Sequence, residues 1–485
     1  MGQLSTTEVD SKIMLQWVGK RYLLASCFCL FFAIIFFLFP WLSEIQRWAI
    51  FASFSCLSPF IAERMRGFRW LGSPAQIFGL THFVTFPFAG VLVEAHPYLD
   101  GYNLLSTLPL ALRAQSIAMV VFGLAYFYFL PKYERSKQDR PIQMPNVNLL
   151  KLNFMLFTSF YFIGLSMQIT LGIYWHAAVL RHQTNLSYIV YLLTELGLLG
   201  TVVAAILQYE MKSKKWYNIR WLLVIVMFLL SALSGKGGTS AFLLILQIYI
   251  EFLYRRSFSI KKIFFILLIF LSFVPAVMYY RALDPFRIAD QSWLGRTKLF
   301  VNYGVGSILK KEKTWEYSPI DLFALRAFEG GTAGRIIAMT PSSIRFAYLD
   351  DLEGLLFIWI PRSIFPSKPR LDDGAFISAE YGVGAIGGGT APPMLIGDLY
   401  RRGGYVGILL GMAIMGLIVA KITKFLDWPP KGYVKIMIGG YICIEAIRWY
   451  SSTVLGLGPF FLRDLPVVYL LIFTLKKICS ARKRA

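Results

Sequence analysis

Apolar positions along this chain fall in long blocks, with neither the alternation of a half-buried strand nor the single stripe of a surface helix. The blocks lie near 22–42, 47–63, 72–93, 110–130, 152–172, 187–208, 216–234, 239–254, 262–280, 405–422, 433–450 and 465–476. A helix rises 1.5 Å per residue, so about 20 apolar residues cross the roughly 30 Å hydrocarbon core of a bilayer. The pattern predicts an all-α polytopic membrane protein with about 12 transmembrane helices. Residues 281–404 form the one long run between two apolar blocks.

Charge orients the blocks. Each even-numbered block ends in a basic cluster, from Arg64, Arg66 and Arg69, through Lys212, Lys214 and Lys215, to the tail from Lys476 to Arg484. Lys and Arg gather in short cytoplasmic loops. The rule therefore predicts both termini in the cytoplasm and 281–404 outside it. The first block follows Lys20-Arg21 and has no small-residue cleavage site, so it reads as a retained span. Three parts are expected: a bundle of about nine spans over 1–280, a large extracytoplasmic loop with short helices over 281–404, and C-terminal spans with a basic tail over 405–485. Within the loop, Leu355 to Trp359 is too short to span and reads as interfacial or re-entrant.

Composition supports the class. The chain is 56% hydrophobic and 16% charged, with mean hydropathy +0.57, where soluble chains carry about 25% charge. The net charge of +22 sits mostly beside the spans, so it marks topology and calls for no nucleic acid. Cys27, Cys29, Cys56, Cys443 and Cys479 lie in apolar blocks or the tail, with no zinc spacing and none in the long loop.

The chemistry concentrates in that loop. Arg281, Arg287, Arg326, Arg335, Arg345, Arg362, Lys368, Arg370, Arg401 and Arg402 fall there, where orientation does not require them. Arginine's planar fork binds phosphate bidentately. The set suits a diphosphate at the membrane surface, although Asp and Glu are nearly as frequent and many of these arginines are ordinary ion-pair partners. Glu329, three residues after Arg326, and Asp398, ahead of Arg401, are candidate proton acceptors. Asp372-Asp373 reads as a solvated turn. The turn at 234–240 lacks the spacing of a nucleotide-binding phosphate loop, and either it is a plain glycine hairpin or its amides and Lys236 bind an anion. His176 and His182 lie in a short outer loop. Glu195, Glu445 and Arg448 are intramembrane, and the last two, at i and i+3, are expected to neutralise each other.

Several of these runs resemble a known family. The 234–240 hairpin, Arg326, Ile-Pro-Arg-x-x-x-Pro-x-Lys-Pro at 360–369 and Ala-Pro-x-x-Leu-Ile-Gly-Asp-x-Tyr-x-x-x-Gly at 391–404 look like bacterial O-antigen and exopolysaccharide polymerases of the Wzy type. The resemblance covers roughly 215–470. It implies a GT-C-like membrane fold and a metal- and nucleotide-independent glycosyltransferase in the bacterial inner membrane. Such an enzyme moves a growing glycan from undecaprenyl diphosphate to the non-reducing end of a new lipid-linked repeat unit at the periplasmic face. No cofactor is implied. The partners implied are lipid-linked oligosaccharide, membrane lipid and a chain-length regulator protein. In that frame Glu329 and Asp398 are the expected bases. Lys236, Arg281, Arg326, Arg362 and Arg401 are the expected diphosphate ligands, and Trp293, Trp315, Tyr381 and Tyr400 are expected to stack on sugars.

Two rivals share much of this pattern. A ligase or oligosaccharyltransferase would carry a similar late loop. A flippase for the same lipid would need a central cationic cavity, whereas the basic residues not explained by topology lie in the outer loop.

Overall fold

The computed structural model describes residues 39–68, 72–100, 103–132, 146–171, 187–234, 237–255, 276–277, 280, 293–306, 321, 324, 328, 330–360, 364–365, 367, 374–383 and 393–481. Among the described residues every element is helical. Among these residues seven helices are long and apolar enough to cross a membrane: Pro74–Ala95, Leu105–Phe129, Val147–Thr170, Ile189–Met211, Lys214–Leu233, Met394–Leu426 and Val454–Leu475. The predicted spans near 22–42 and 262–280 lie almost wholly outside the described residues.

The helices that place the site are α1 (Glu44–Ser55), α2 (Ser58–Met65), α3 (Pro74–Phe83), α4 (Leu108–Phe129), α5 (Val147–Thr170), α6 (Ser187–Met211), α7 (Lys214–Leu233), α8 (Gly237–Arg255), α9 (Gly330–Met339), α10 (Met394–Leu426), α11 (Tyr433–Ala446) and α12 (Leu465–Ala481). α4 is central. Pro109 opens it where no backbone donor is needed, and its length, about 33 Å, matches a bilayer core. Leu108, Leu112, Met119, Phe122 and Tyr126 are buried, while Leu124 and Tyr128 face outward. An apolar outer face on a buried helix is the mark of a lipid-facing span. α1, α2, α9 and α10 pack on α4.

A second group joins α5 to α6, α6 to α7 and α8, and α7 to α8. The α5–α6 contact is close because Gly197 has no side chain: a Cβ there would run into the Tyr161 backbone. Small residues let membrane helices gain dispersion contacts that lipid cannot offer. α11 touches α3, α6, α8 and α12 and joins the two groups.

Two predicted spans differ. The one near 47–63 breaks into α1 and α2, because Pro59 opens a new helix where a continuous one would need its missing N–H. The one near 433–450 ends its α-helix at Ala446 and passes into a 3-10 turn at Trp449–Ser451. At about 21 Å, α11 is shorter than the bilayer core.

The described parts of 281–404 include segments packed on the bundle. α9 is buried from Gly330 to Gly334 and packs on α4 and α10. A Cβ on Gly334 would meet the Thr107 carbonyl, so α9 reaches the backbone at the entry of α4. Residues 352–357 form a 3-10 turn at the position expected to be interfacial, and Leu355 there packs against Gly458 while Leu356 and Trp359 are exposed.

α10 is not straight. Gly403 (φ −167°, ψ 25°) and Gly404 (φ 60°, ψ −146°) leave helical geometry, and the positive φ at Gly404 is one that glycine adopts without steric cost. In a straight helix residues 399 and 411 would stand about 18 Å apart. Here a Cβ on Gly407 would strike the Leu399 carbonyl oxygen, and one on Gly411 its side chain. Residues 394–402 therefore fold back along 405–426, and the predicted boundary at Gly404 coincides with the reversal.

Candidate functional site

The folded-back segment carries Asp398, Arg401 and Arg402, spaced so that one carboxylate faces both guanidinium groups. Asp398 is fully buried. Its Oδ1 accepts from Arg401 Nε at 3.2 Å and Nη2 at 3.1 Å. Its Oδ2 accepts from Arg402 Nε at 3.2 Å and from the Val454 amide at 2.8 Å. Burying a carboxylate costs several kcal/mol unless donors replace water. Here four contacts do so, and one of them ties the segment to the start of the last apolar helix.

The two arginines then hold a turn 50 residues away. Arg402 Nη1 donates to the carbonyls of Tyr348 (3.1 Å) and Asp350 (2.8 Å). The Ala347 amide donates to the Arg401 carbonyl at 2.9 Å. Arg401 Nη2 donates to Asp351 Oδ2 at 3.3 Å. Within this turn Tyr348 (φ 44°) and Asp351 (φ 71°) lie in the left-handed region. Such residues cost about 1–3 kcal/mol each and persist where the surroundings hold them; here the Arg402 clamp does so.

Beside the turn is a cavity of about 360 Å³. Its polar wall is Arg345, Asp350, Asp351, Glu353, Glu380 and Arg401, and Phe376 and Ile377 add apolar surface. Four carboxylates thus face two guanidinium groups. Arg401 is 7% exposed and enters from the buried network, whereas Arg345 is 89% exposed and pairs loosely with Asp350 at 3.4 Å. Behind the wall, the buried Tyr381 hydroxyl and Thr340 Oγ1 hydrogen-bond at 2.7 Å. Burial raises the Tyr381 hydroxyl above its ordinary value, and the Thr340 contact opposes the shift.

These positions bear on three sequence expectations. Asp398 is sealed, with both oxygens taken, and is not an open base. Arg401 is paired with the Asp398 and Asp351 carboxylates. Tyr381 is buried and has no face for a sugar, while Tyr400 packs edge-on against Tyr405. Glu329, Lys236, Arg281, Arg326, Arg362, Trp315, His176, His182 and Asp372-Asp373 lie outside the described residues, as does the Trp293 side chain. Asp351, Glu353 and Glu380 join the site without having been singled out by sequence pattern. Their only sequence signal is polarity, in Asp350-Asp351-Leu352-Glu353 and at the end of Ala375-Phe376-Ile377-Ser378-Ala379-Glu380.

Polar groups inside the bundle form separate knots. Arg448 Nη1 contacts Glu195 Oε1 at 2.5 Å and Glu445 Oε1 at 2.7 Å, and its guanidinium lies 4.4 Å from the Phe242 ring centroid. The expected Glu445–Arg448 pair forms, and Glu195 from α6 joins it. The fully buried Arg220 donates to Gln247 (2.6 Å), Gln208 (3.0 Å) and Glu251 (3.2 Å), tying α7 to α6 and α8. Glu63, also fully buried, accepts from Gln76 (2.6 Å), Tyr126 (2.7 Å) and Ser73. Among the described residues no group of three His, Cys, Asp or Glu has a metal-holding arrangement.

An all-helical chain with membrane-length apolar helices, and a charged network buried where a folded-back helix meets a clamped turn, defines the class of protein. A family model described as a domain of unknown function, DUF8712, matches residues 151–455, and the chain belongs to that family. No curated protein and no solved structure matches it.

Proposed function

We propose that the protein is a glycosyltransferase that polymerises undecaprenyl-diphosphate-linked oligosaccharide units at the periplasmic face of the bacterial inner membrane. In this reading the chain has about 12 spans in a GT-C-like arrangement, with both termini cytoplasmic. The observation that carries the reading is the folded-back segment 394–402. It belongs to the Ala-Pro-x-x-Leu-Ile-Gly-Asp-x-Tyr-x-x-x-Gly run that resembles Wzy-type polymerases, and it carries Arg401 from a buried ion-pair network to the wall of a polar cavity.

The chemistry needs two subsites. Charge building on the departing diphosphate needs preorganised cations, and Arg281, Arg326, Arg362 and Lys236 are proposed for that role. The incoming sugar hydroxyl needs a hydrogen-bonding pocket and a proton acceptor, typically worth 10²–10⁴-fold. The sugar–diphosphate bond supplies the driving force, so neither nucleotide nor metal enters. The test is incubation of purified protein with a defined lipid-linked repeat unit, without nucleotide. The expected product is a ladder of glycans on lipid. A purified, folded protein that yields none, or that only moves the unit across a vesicle membrane, overturns the reading.

A further inference from the structure

We propose that the cavity beside Arg401 is the subsite for the acceptor sugar, a neutral polyhydroxylated unit, and that Asp351 takes the proton from its attacking hydroxyl. This rests on the glycosyl-transfer reading above. Four observations on the described residues support it.

The first is charge. Four carboxylates and two guanidinium groups line the space. Such a wall repels a diphosphate and offers many acceptors to sugar hydroxyls, which donate. The second is size. About 360 Å³ lies within the range of small-ligand pockets. Phe376 and Ile377 give it a partly apolar side, as needed by the C–H face of a pyranose.

The third is the state of Asp351. Its side chain is 45% exposed, against 0% for Asp398. Arg401 Nη2 holds Oδ2 at 3.3 Å, and no hydrogen bond to Oδ1 occurs among the described residues. One oxygen is anchored, and the residue lines the cavity. The fourth is preorganisation. Asp351 has a positive φ in a turn clamped by Arg402, and among the described residues the buried Arg402 Nη2 makes no hydrogen bond and lies 4.0 Å from Asp351 Oδ2. Asp398 therefore positions the two arginines, and the arginines position Asp351.

The step balances without any further reagent. The acceptor oxygen bonds to the anomeric carbon of the donor. The bond from that carbon to the diphosphate oxygen breaks, and its electron pair leaves with the diphosphate. The hydroxyl proton passes to Asp351 and then to water.

Two measurements on the full-length protein in lipid nanodiscs test the proposal. In the first, carbodiimide labelling of Asp351 is followed by mass spectrometry. A free neutral oligosaccharide repeat unit is expected to slow labelling at least threefold, while inorganic pyrophosphate leaves it unchanged. Protection by pyrophosphate, or none by the oligosaccharide, overturns the acceptor subsite whether or not a ladder forms. In the second, Asp351→Asn is expected to lower the polymerisation rate at least 100-fold with an unchanged thermal unfolding midpoint. Asp351→Glu, which keeps a carboxylate, should restore part of the rate. An Asp351→Asn protein that keeps more than a tenth of the rate overturns the proton-accepting role. A wild-type protein that shows oligosaccharide protection but forms no ladder overturns the polymerase reading and leaves the cavity a sugar site.

Discussion

Among the described residues, the Arg220 network and the Arg401–Arg402 network differ in what surrounds them. Arg220 is enclosed by Gln208, Gln247 and Glu251, so two of its three partners are neutral amides. It is not among the residues lining the cavity beside Arg401. Its contacts join three neighbouring helices, and that is a complete role for it. Arg401 and Arg402 instead share the sealed Asp398, reach across to a strained turn, and leave Asp351 half exposed at a cavity. The first network ends in helix packing. The second holds a carboxylate that helix packing alone does not require. A buried arginine is thus weak evidence of function by itself, and what its far side holds decides the matter.

Three substitutions sharpen or break this contrast. The largest effect is expected for Asp398→Ala, which leaves two guanidinium groups buried without their shared carboxylate. Removing one partner of a buried pair costs about 3–5 kcal/mol. Thermal unfolding in detergent should show it, and polymerisation should be lost with it. A wild-type midpoint would mean that the network is not closed in the folded protein. Arg220→Ala comes next. Hydrogen bonds to charged groups are worth about 1.5–3 kcal/mol each, and the amides left behind can turn toward one another. The unfolding midpoint should drop, while turnover per folded molecule stays at the wild-type value. If turnover fell tenfold in the folded fraction, the proposed division of labour would be wrong. The smallest effect is expected for Arg345→Ala. Its pair with Asp350 is exposed and long, and such surface changes stay within about 0.5 kcal/mol. Stability should not move, and a change in KM without one in kcat would place Arg345 at the sugar-binding rim.

The sequence was most readable where one physical rule acts alone. Apolar blocks gave α4, α5, α6 and α7 close to their observed bounds, because a span needs only length and hydropathy. The rule failed at Pro59 and past Ala446, where a helix ends inside an apolar run. It is silent on α9, whose Gly330-Gly331-Thr332-Ala333-Gly334 start serves as a close-packing surface. In the site, Asp398 and Arg401 stood out through their charge beside a span. Their mutual neutralisation depends on i, i+3 geometry and could have been anticipated as it was for Glu445 and Arg448. Asp351 could not. It meets Arg401 across 50 residues, through a turn whose conformation depends on carbonyls held by Arg402, and no local pattern encodes such a meeting.

The reversal at Gly403-Gly404 has a bearing on how sequences of this kind can drift. A rigid rod would transmit every twist or lengthening of the crossing part 405–426 to Asp398 and Arg401, turning them by about 100° for each residue inserted. A pivot with two non-helical glycines interrupts that transmission. The lipid-facing half is then at liberty to adapt its length and azimuth to the bilayer, while the nine residues 394–402 keep their orientation toward the turn at 347–351.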